Sequence, residues 1–285
     1  MAVLPGVPGI EVRIVVNGLP TEEWPFEDNK KREVDEEDVK TNEHELGHVG
    51  SKDPQLPTSR NYIRSKSGCQ FGVRTTLSDD FETKNLPSGA DGIVLCIHID
   101  GVIFDSSLIP LGSRRTQNWL YALIKSDDGT MKRKYPVFSD IVSVEDPDND
   151  KIKADMARVK QMGNIRIRVL AVKMNEPGIF AAETRDRPDM EIAYKATILH
   201  GQGLTHGTTY KDEDTDESDC QRSTAAYSPT VLGQLGTFIF RYSANPPRNV
   251  KKGEPESCVP IKRKYEEVKM PDGRYVLDLT GDDDE

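Results

Sequence analysis

The chain has 285 residues, of which 35% are apolar and 30% are charged, and its formal net charge at pH 7 is −10. This length allows one large domain or two small ones, and the apolar content is lean but sufficient for a core. No window approaches the roughly 18 consecutive apolar residues of a membrane span, and the cysteines form no CxxC pair, so a soluble intracellular protein without a membrane partner, zinc ribbon or disulfide framework is expected.

Short strand-forming runs dominate the first half of the chain. The runs that predict strands are residues 10–16, 61–65, 70–77, 92–99 and 102–104. Between the last two, Asp100-Gly101 predicts a tight hairpin turn. Residues 119–125 and 132–138 flank Asp127-Asp128-Gly129 and predict a second hairpin, whose first arm could instead be a helical turn.

The negative charge is concentrated in three segments. Residues 27–45, 211–220 and 282–285 carry −5, −5 and −4, which leaves about +4 on the rest of a chain whose total is −10. Segments of this composition cannot bury enough apolar surface to offset their ordering entropy. We therefore predict acidic mobile loops at residues 27–57 and 211–221.

The second half contains one helical pattern and further strands. Ile152, Met156 and Val159 have a three-to-four spacing that predicts a short amphipathic helix over residues 150–162. Residues 164–173 alternate between apolar positions and Arg166 and Arg168, which predicts a strand with one buried face. Residues 191–199 and 236–242 predict two more strands, with a glycine-containing turn at residues 201–209.

These elements predict a mainly β fold. Many short strands separated by turns favour a two-layer antiparallel β-sandwich with one short helix and long acidic loops. After Asn245-Pro246-Pro247 the composition changes to Lys, Glu and Pro without periodicity. The predicted sandwich domain therefore covers residues 1–247, and a disordered tail covers residues 248–285.

The order of several motifs resembles that of an uncharacterised fungal domain family. The motifs are the Leu4-Pro5-Gly6-Val7 start, the Asp100-Gly101 hairpin and the Phe238-Ile239-Phe240-Arg241-Tyr242 strand near the end of the predicted domain. The resemblance covers most of residues 1–247. It implies a β-rich fold and no established activity.

The C-terminal segment has the pattern of a docking peptide. Val276-Leu277-Asp278-Leu279-Thr280 is a short strand-forming run, and Asp282, Asp283, Asp284 and Glu285 follow it. An unpaired strand can extend a partner's sheet, with alternate side chains entering pockets. The segment resembles a SUMO-interacting motif of the V-[IL]-D-L-T type, which implies SUMO or a SUMO-modified protein as the partner. A frayed terminus kept soluble by its charge is the alternative.

Two basic clusters precede this motif. Lys251-Lys252 and Lys262-Arg263-Lys264 resemble a bipartite nuclear localisation signal with a slightly short spacer. The resemblance implies an import receptor as a second partner and a nuclear location, with a cytoplasmic pool also compatible. A solvated run of charge explains the same residues equally well.

One motif points to a different class of function. His44-Glu45-Leu46-Gly47-His48 is a literal H-E-x-x-H, which on a helix presents two imidazoles to zinc and a glutamate to polarise water. The surrounding residues are nearly all polar, and Gly47 weakens a helix there. A zinc metallopeptidase using His44 and His48 is therefore the alternative to a binding protein.

No other pattern supports catalysis. The chain has no G-x-S-x-G elbow, no P-loop and no G-x-G-x-x-G after a strand. Arg166 and Arg168 share a strand face, but without interleaved aromatic residues this argues against nucleic-acid binding. The sequence thus predicts a non-enzymatic nuclear interaction protein that needs no cofactor and binds SUMO through its tail.

Overall fold

The computed structural model describes most of the N-terminal region and two short segments of the tail. The described residues are 2–25, 56–78, 80–112, 116–125, 130–145, 148–175, 177–178, 191–200, 204–215, 226–227, 229–245, 266–269 and 275–278. The chain divides into two compact units, Met1–Pro247 and Arg248–Glu285, each of which is treated by itself below. Nearly all of the segment predicted as an acidic loop at residues 27–57 lies outside the described residues.

Strands make up most of the described part of the first unit. In chain order they are β1 (Ala2–Leu4), β2 (Val7–Val16), β3 (Leu19–Pro20), β4 (Glu23–Pro25), β5 (Thr58–Arg64), β6 (Phe71–Leu77), β7 (Gly92–Ile99), β8 (Val102–Pro110), β9 (Thr116–Trp119), β10 (Ala122–Lys125), β11 (Met131–Asp140), β12 (Val142–Val144), β13 (Asn164–Lys173), β14 (Pro177–Gly178), β15 (Glu191–Ala193), β16 (His206–Asp214), β17 (Ala226–Tyr227) and β18 (Thr230–Ser243). The helices are α1 (Asn149–Val159) and α2 (Tyr194–His200), with one 3₁₀ turn at Thr83–Asn85. Neither α-helix in these ranges is long and apolar enough to cross a membrane.

The largest sheet has six strands in the order β4-β5-β18-β13-β7-β8. Its centre is the long antiparallel pair of β13 and β18, which runs from Asn164 opposite Arg241 to Lys173 opposite Thr230. All neighbours are antiparallel except β5 and β18, which are parallel. The sheet is therefore mixed, whereas the sequence had predicted purely antiparallel pairing.

Two smaller sheets complete the layers. A five-stranded sheet has the order β1-β2-β6-β9, with β3 paired to β2, and a three-stranded sheet has the order β10-β11-β16. Strands β12 and β15 form a parallel pair, and β14 pairs with β17. The hairpin predicted around residues 127–129 is confirmed as β10 and β11, while Trp119 ends β9 in the five-stranded sheet.

The main core lies between the sheets, and alternate residues of each strand supply it. Ile165, Ile167 and Val169 of β13 and Phe238 and Phe240 of β18 are fully buried in one cluster with residues of the five-stranded sheet. Those residues of the five-stranded sheet are Ile10, Val12, Ile14, Phe71 and Val73. This arrangement confirms the predicted mainly β, two-layer fold, because each layer buries the apolar side of a period-two pattern.

Both helices pack in a second, smaller cluster. Helix α1 starts at the N-cap Asp148, whose carboxylate accepts from the backbone N–H of Lys151 at 2.7 Å. Val159 packs with Ala196 of α2 and with Ile192 of β15. The predicted helix at residues 150–162 is confirmed within its expected error at the ends.

The sequence prediction of a strand over residues 191–199 is wrong beyond Ala193. The chain turns into α2 at Tyr194, and Ala193 at the end of β15 and Ala196 of α2 are both buried in one cluster with Val159 of α1. The backbone N–H of Ala193 donates to the buried carboxylate of Asp155 at 2.8 Å. Packing on α1 therefore decides the local structure against the alternating pattern read from the sequence.

Two further predictions fail over β16. Residues 206–209 were predicted as part of a turn and residues 211–214 as part of an acidic loop, yet both belong to this strand. The reason lies in the partner strand, because Lys132, Arg133 and Lys134 of β11 face three acids of β16 in register. Opposite charges in directly opposed positions stabilise a strand that looks too polar when read alone.

In the second unit, residues of the predicted tail form two short strands. These are β19 (Glu266–Lys269) and β20 (Tyr275–Asp278), which pair in antiparallel orientation from Glu266 opposite Asp278 to Lys269 opposite Tyr275. The sequence analysis had predicted a C-terminal strand without a partner in its own chain. In the structure that strand has an intramolecular partner.

Candidate functional site

The docking segment predicted from the sequence falls partly within β20. Val276, Leu277 and Asp278 belong to the strand, with Val276 opposite Val268 and Leu277 opposite Glu267. Leu279, Thr280 and the acids Asp282, Asp283 and Asp284 lie outside the described residues. The extended backbone that a docking strand requires is thus present over the first three positions of the motif.

The pairing of β20 uses only part of its backbone. In an antiparallel pair, residues alternate between those that point N–H and C=O toward the partner strand and those that point them away. Among the described residues, the sheet formed by β19 and β20 has two strands. Alternate residues of β20 therefore direct their N–H and C=O groups to the side opposite β19, where a third strand can add.

The remaining predicted site residues cannot be placed. Lys251, Lys252, Lys262, Arg263 and Lys264 of the predicted import signal lie outside the described residues. The same holds for the alternative zinc ligands, because residues 26–55 are not described. Within the described ranges, no group of three or more His, Cys, Asp or Glu side chains has the arrangement of a metal site.

A buried polar centre lies where β7, β13, β16 and β18 meet. Asp100 occupies the turn between β7 and β8 with φ of 51°, and Gly101 follows with φ of 78°, as the predicted hairpin requires. The Asp100 carboxylate accepts hydrogen bonds from the backbone N–H groups of Gly163 at 2.8 Å and Thr208 at 2.9 Å, and from the Tyr242 hydroxyl at 2.7 Å.

Burial dominates the electrostatics of this centre. Desolvation raises the pKa of Asp100 from 3.8 to about 6, against the opposing effect of the hydrogen bonds from Tyr242, Thr208, Asn164 and Gly163. Burial, with the neighbouring Asp100 carboxylate, also raises the pKa of Tyr242 well above 10. Through one side chain the centre joins the β7–β8 turn to the start of β13, to β16 and to β18, so we assign it a structural role.

Ser65, His206 and Asp140 form a second polar chain. The Ser65 hydroxyl lies 2.9 Å from His206 Nδ1, and Asp140 Oδ1 lies 3.2 Å from His206 Nε2. Thr205 Oγ1 is also 2.9 Å from Nδ1 and accepts from the backbone N–H of Ala244 at 2.8 Å. With the ring proton on Nε2, His206 donates to Asp140 and its Nδ1 accepts from a hydroxyl.

This chain has the residue types of a hydrolytic triad without its accessibility. Ser65 is only 3% exposed, whereas the Asp140 side chain is 73% exposed, the reverse of a triad in which the nucleophile faces substrate. The N–H groups of the neighbouring Gly68 and Cys69 already donate to Phe138 and Lys66 carbonyls. They are therefore not available as oxyanion donors, and the contacts serve to join β5, β11 and β16.

Replacing Ser65 with alanine tests this structural assignment. We expect the free energy of unfolding to fall by about 1 kcal/mol, because buried His206 loses one hydrogen-bond partner and keeps Thr205. Urea unfolding followed by fluorescence measures the change. Thr76→Ala is the matched control, since its hydroxyl bond to Thr116 is exposed and its loss should cost less than about 0.5 kcal/mol. Covalent labelling of Ser65 by a fluorophosphonate would contradict the assignment.

Comparison with known proteins places this fold in a family. The family model described as a domain of unknown function, DUF7918, matches residues 9–245. The chain belongs to the DUF7918 family. This membership confirms the resemblance to an uncharacterised domain family that the motif order had indicated. Searches of the curated proteins and of the solved structures found no match.

The DUF7918 match covers the sandwich and stops before the tail. It includes Asp100, Ser65 and His206, and it excludes β19 and β20. From the sequence, Asp100 was visible only as part of a turn, and the dipeptide Asp100-Gly101 was the one local signal. Its hydrogen-bond partners are more than 60 residues away along the chain, at Gly163, Thr208 and Tyr242.

Proposed function

We propose that this member of the DUF7918 family is a non-enzymatic interaction protein whose C-terminal segment binds SUMO or a SUMO-modified partner by adding a strand to the partner's sheet. The observation that carries the proposal is β20, because Tyr275–Asp278 is already extended and, among the described residues, pairs with β19 alone. Strand addition requires this backbone conformation together with an edge that can accept another strand.

The hairpin formed by β19 and β20 does not prevent capture. An isolated two-stranded hairpin is at best marginally stable in water, so displacing β19 costs little free energy. A partner strand can add beside β20, or it can replace β19 and pair with the same edge. Either route leaves Leu277 and Leu279 on one side of the strand, with Val276, Asp278 and Thr280 on the other.

The acids that follow the strand supply the electrostatic part of the proposal. Asp282, Asp283 and Asp284 directly follow the apolar positions and complement a basic rim beside the partner's groove. Charges in this position steer the encounter and fix the orientation of the strand more than they raise affinity. Binding should therefore weaken as salt concentration rises.

The basic clusters supply the proposed location. We infer import into the nucleus through Lys251, Lys252, Lys262, Arg263 and Lys264, with a fungal origin as the motif resemblance implies. An import receptor would be a second partner of the same tail. The two inferences support each other because SUMO conjugates are most abundant in nuclei.

Replacing Val276, Leu277 and Leu279 together with alanine tests the proposal. We expect capture by immobilised SUMO to be lost, because the apolar contacts in the partner's pockets disappear while the backbone remains. Wild-type affinity should lie in the micromolar range, since ordering a free segment offsets much of its contact energy. Biolayer interferometry with the full-length protein measures both the loss of capture and the wild-type affinity.

The matched control lies on the neighbouring strand. Val268→Ala removes the same kind of side chain from the position opposite Val276 but leaves the motif intact. Capture by SUMO should persist in Val268→Ala. The unfolding transition should be the same in the wild type, the triple variant and Val268→Ala. Undiminished capture by the triple variant would contradict the proposal.

A further inference from the structure

The face of the six-stranded sheet that points away from the main core carries five arginines along β5, β13 and β18, beside a buried apolar cluster of Val94, Cys96, Leu170 and Val172. Core residues alternate with outward residues along each strand, so Arg166 and Arg168 of β13 face away from Ile165 and Ile167. Register extends this face to neighbouring strands, because Arg241 lies opposite Asn164 and Arg60 lies opposite Ile239. The arginines of this outward face are Arg60, Arg64, Arg166, Arg168 and Arg241.

Aromatic side chains lie at one edge of the same face. Trp24 of β4 is directly opposite Tyr62 of β5, and Tyr62 is in turn opposite Arg241 of β18. Neighbouring strands are about 4.8 Å apart, so the three side chains form one row across roughly 10 Å. All three are partly exposed. The sequence analysis had set nucleic-acid binding aside for lack of interleaved aromatic residues, and the register supplies them.

The charge of this face contrasts with that of the whole chain. The outward positions of β4, β5, β7, β13 and β18 in the described ranges contain five arginines and no Asp or Glu. The complete chain has a net charge of −10. A polyanion would therefore be attracted to the arginines of this face.

Partial burial strengthens the electrostatic field of Arg168. Arg168 is half-buried, and its Nε has no hydrogen-bond acceptor among the described residues. It lies opposite the buried Cys96, and the Arg168 charge opposes the burial that raises the pKa of that thiol. A guanidinium in this partly desolvated position interacts more strongly with an incoming anion than one surrounded by water does.

We propose that this outward face binds single-stranded nucleic acid. Unpaired bases would stack on Trp24 and Tyr62, and the phosphates would pair with the arginines over a patch of roughly 10 by 20 Å. Stacking distinguishes this ligand from an acidic peptide, whose carboxylates would use the arginines and leave the aromatic edge without a planar partner. In a duplex the bases are stacked on one another and are therefore not free to stack on Trp24 and Tyr62.

Fluorescence anisotropy with full-length protein tests the proposal. The probes are fluorescein-labelled 15-mers of uridine and of thymidine, titrated at several salt concentrations, with a duplex of the same length for comparison. We expect both single strands to bind more tightly than the duplex. If the uridine and thymidine 15-mers bind with equal affinity, the protein recognises phosphates and bases. If the uridine 15-mer binds more tightly, the protein also contacts the 2′-hydroxyl.

Two variants with separate readouts address the two kinds of contact. The double variant that carries Arg60→Gln and Arg166→Gln should bind at least tenfold more weakly. It should also reduce the slope of log affinity against log salt concentration by about 1.4, because each lost phosphate contact contributes about 0.7 for a single strand. Tyr62→Leu should weaken binding about tenfold and leave the salt slope unchanged, because it removes stacking but no charge.

The controls separate binding at this face from binding elsewhere on the protein. Arg74→Gln changes an exposed arginine on β6 of the other sheet, where it bonds to Asn118, and should bind as the wild type does. The Val276, Leu277 and Leu279 triple variant should also bind normally, so failure of one proposal does not imply failure of the other. The proposal would be overturned if the protein did not bind the probes at low salt, or if Arg74→Gln lost as much affinity as the Arg60 and Arg166 double variant. It would also be overturned if polyglutamate competed as well as unlabelled single-stranded nucleic acid.

Discussion

Phe138→Ala is expected to lower the free energy of unfolding by about 3–5 kcal/mol. Phe138 is fully buried and stacks on Phe71 with ring centroids 4.1 Å apart, and its centroid lies 4.9 Å from that of Tyr242. These three rings come from three different sheets, so removing the middle one leaves a cavity that no single sheet can close. Urea unfolding followed by circular dichroism and tryptophan fluorescence measures the loss.

Leu19→Ala is the control for this prediction. Leu19 is 72% exposed, so the same kind of truncation should change stability by less than about 0.5 kcal/mol. The slope of the unfolding curve should be equal in the wild type and both variants, since the area exposed on unfolding is the same. A loss below about 1 kcal/mol in Phe138→Ala would show that the rings do not join the layers.

Elements whose own residues alternate could be predicted from the sequence. Strand β13 was predicted with its observed bounds, because Ile165, Ile167 and Val169 alternate with polar residues and Gly163 precedes them. The turn at Asp100-Gly101 was equally clear, since both residues adopt the positive φ that this dipeptide favours. In these cases the local signal and the tertiary structure require the same conformation.

Elements that depend on a distant partner could not be predicted. Strand β16 looked like an acidic loop because the three basic residues of β11 that face it lie about 80 positions earlier. Helix α2 looked like a strand because its packing on α1 is not visible locally. The outward face was missed for the same reason, since Tyr62 and Arg241 are neighbours only through the pairing of β5 with β18.

The two proposed interactions use different physical features of one chain. The tail offers a short apolar strand followed by acids, and the sandwich offers a basic face with an aromatic edge. The acidic segments keep the total charge at −10, which disfavours non-specific binding of nucleic acid.

The stability of this protein is expected to depend on pH through Asp100, and Asp100→Asn should remove that dependence. The folded-state pKa of about 6 lies above the ordinary value of 3.8, so between these values the folded state binds more protons than the unfolded state. The stability that Asp100 contributes is therefore complete below about pH 4 and is lost as pH rises through 6. The full difference is about 3 kcal/mol.

The difference in stability between Asp100→Asn and the wild type separates the pH dependence caused by Asp100 from that caused by other carboxylates. Asparagine tolerates the left-handed backbone at this turn and stays neutral, although its single amide oxygen cannot accept from both Gly163 and Thr208, which donate to different oxygens of the Asp100 carboxylate. Relative to wild type, the variant should gain about 2 kcal/mol between pH 4 and pH 7, two conditions on either side of the pI of about 5.2. Urea unfolding of both proteins at each pH measures the gain. A difference that stays flat or falls with pH would mean that the four donors outweigh burial, and Asp100 would then be a carboxylate held in its charged form.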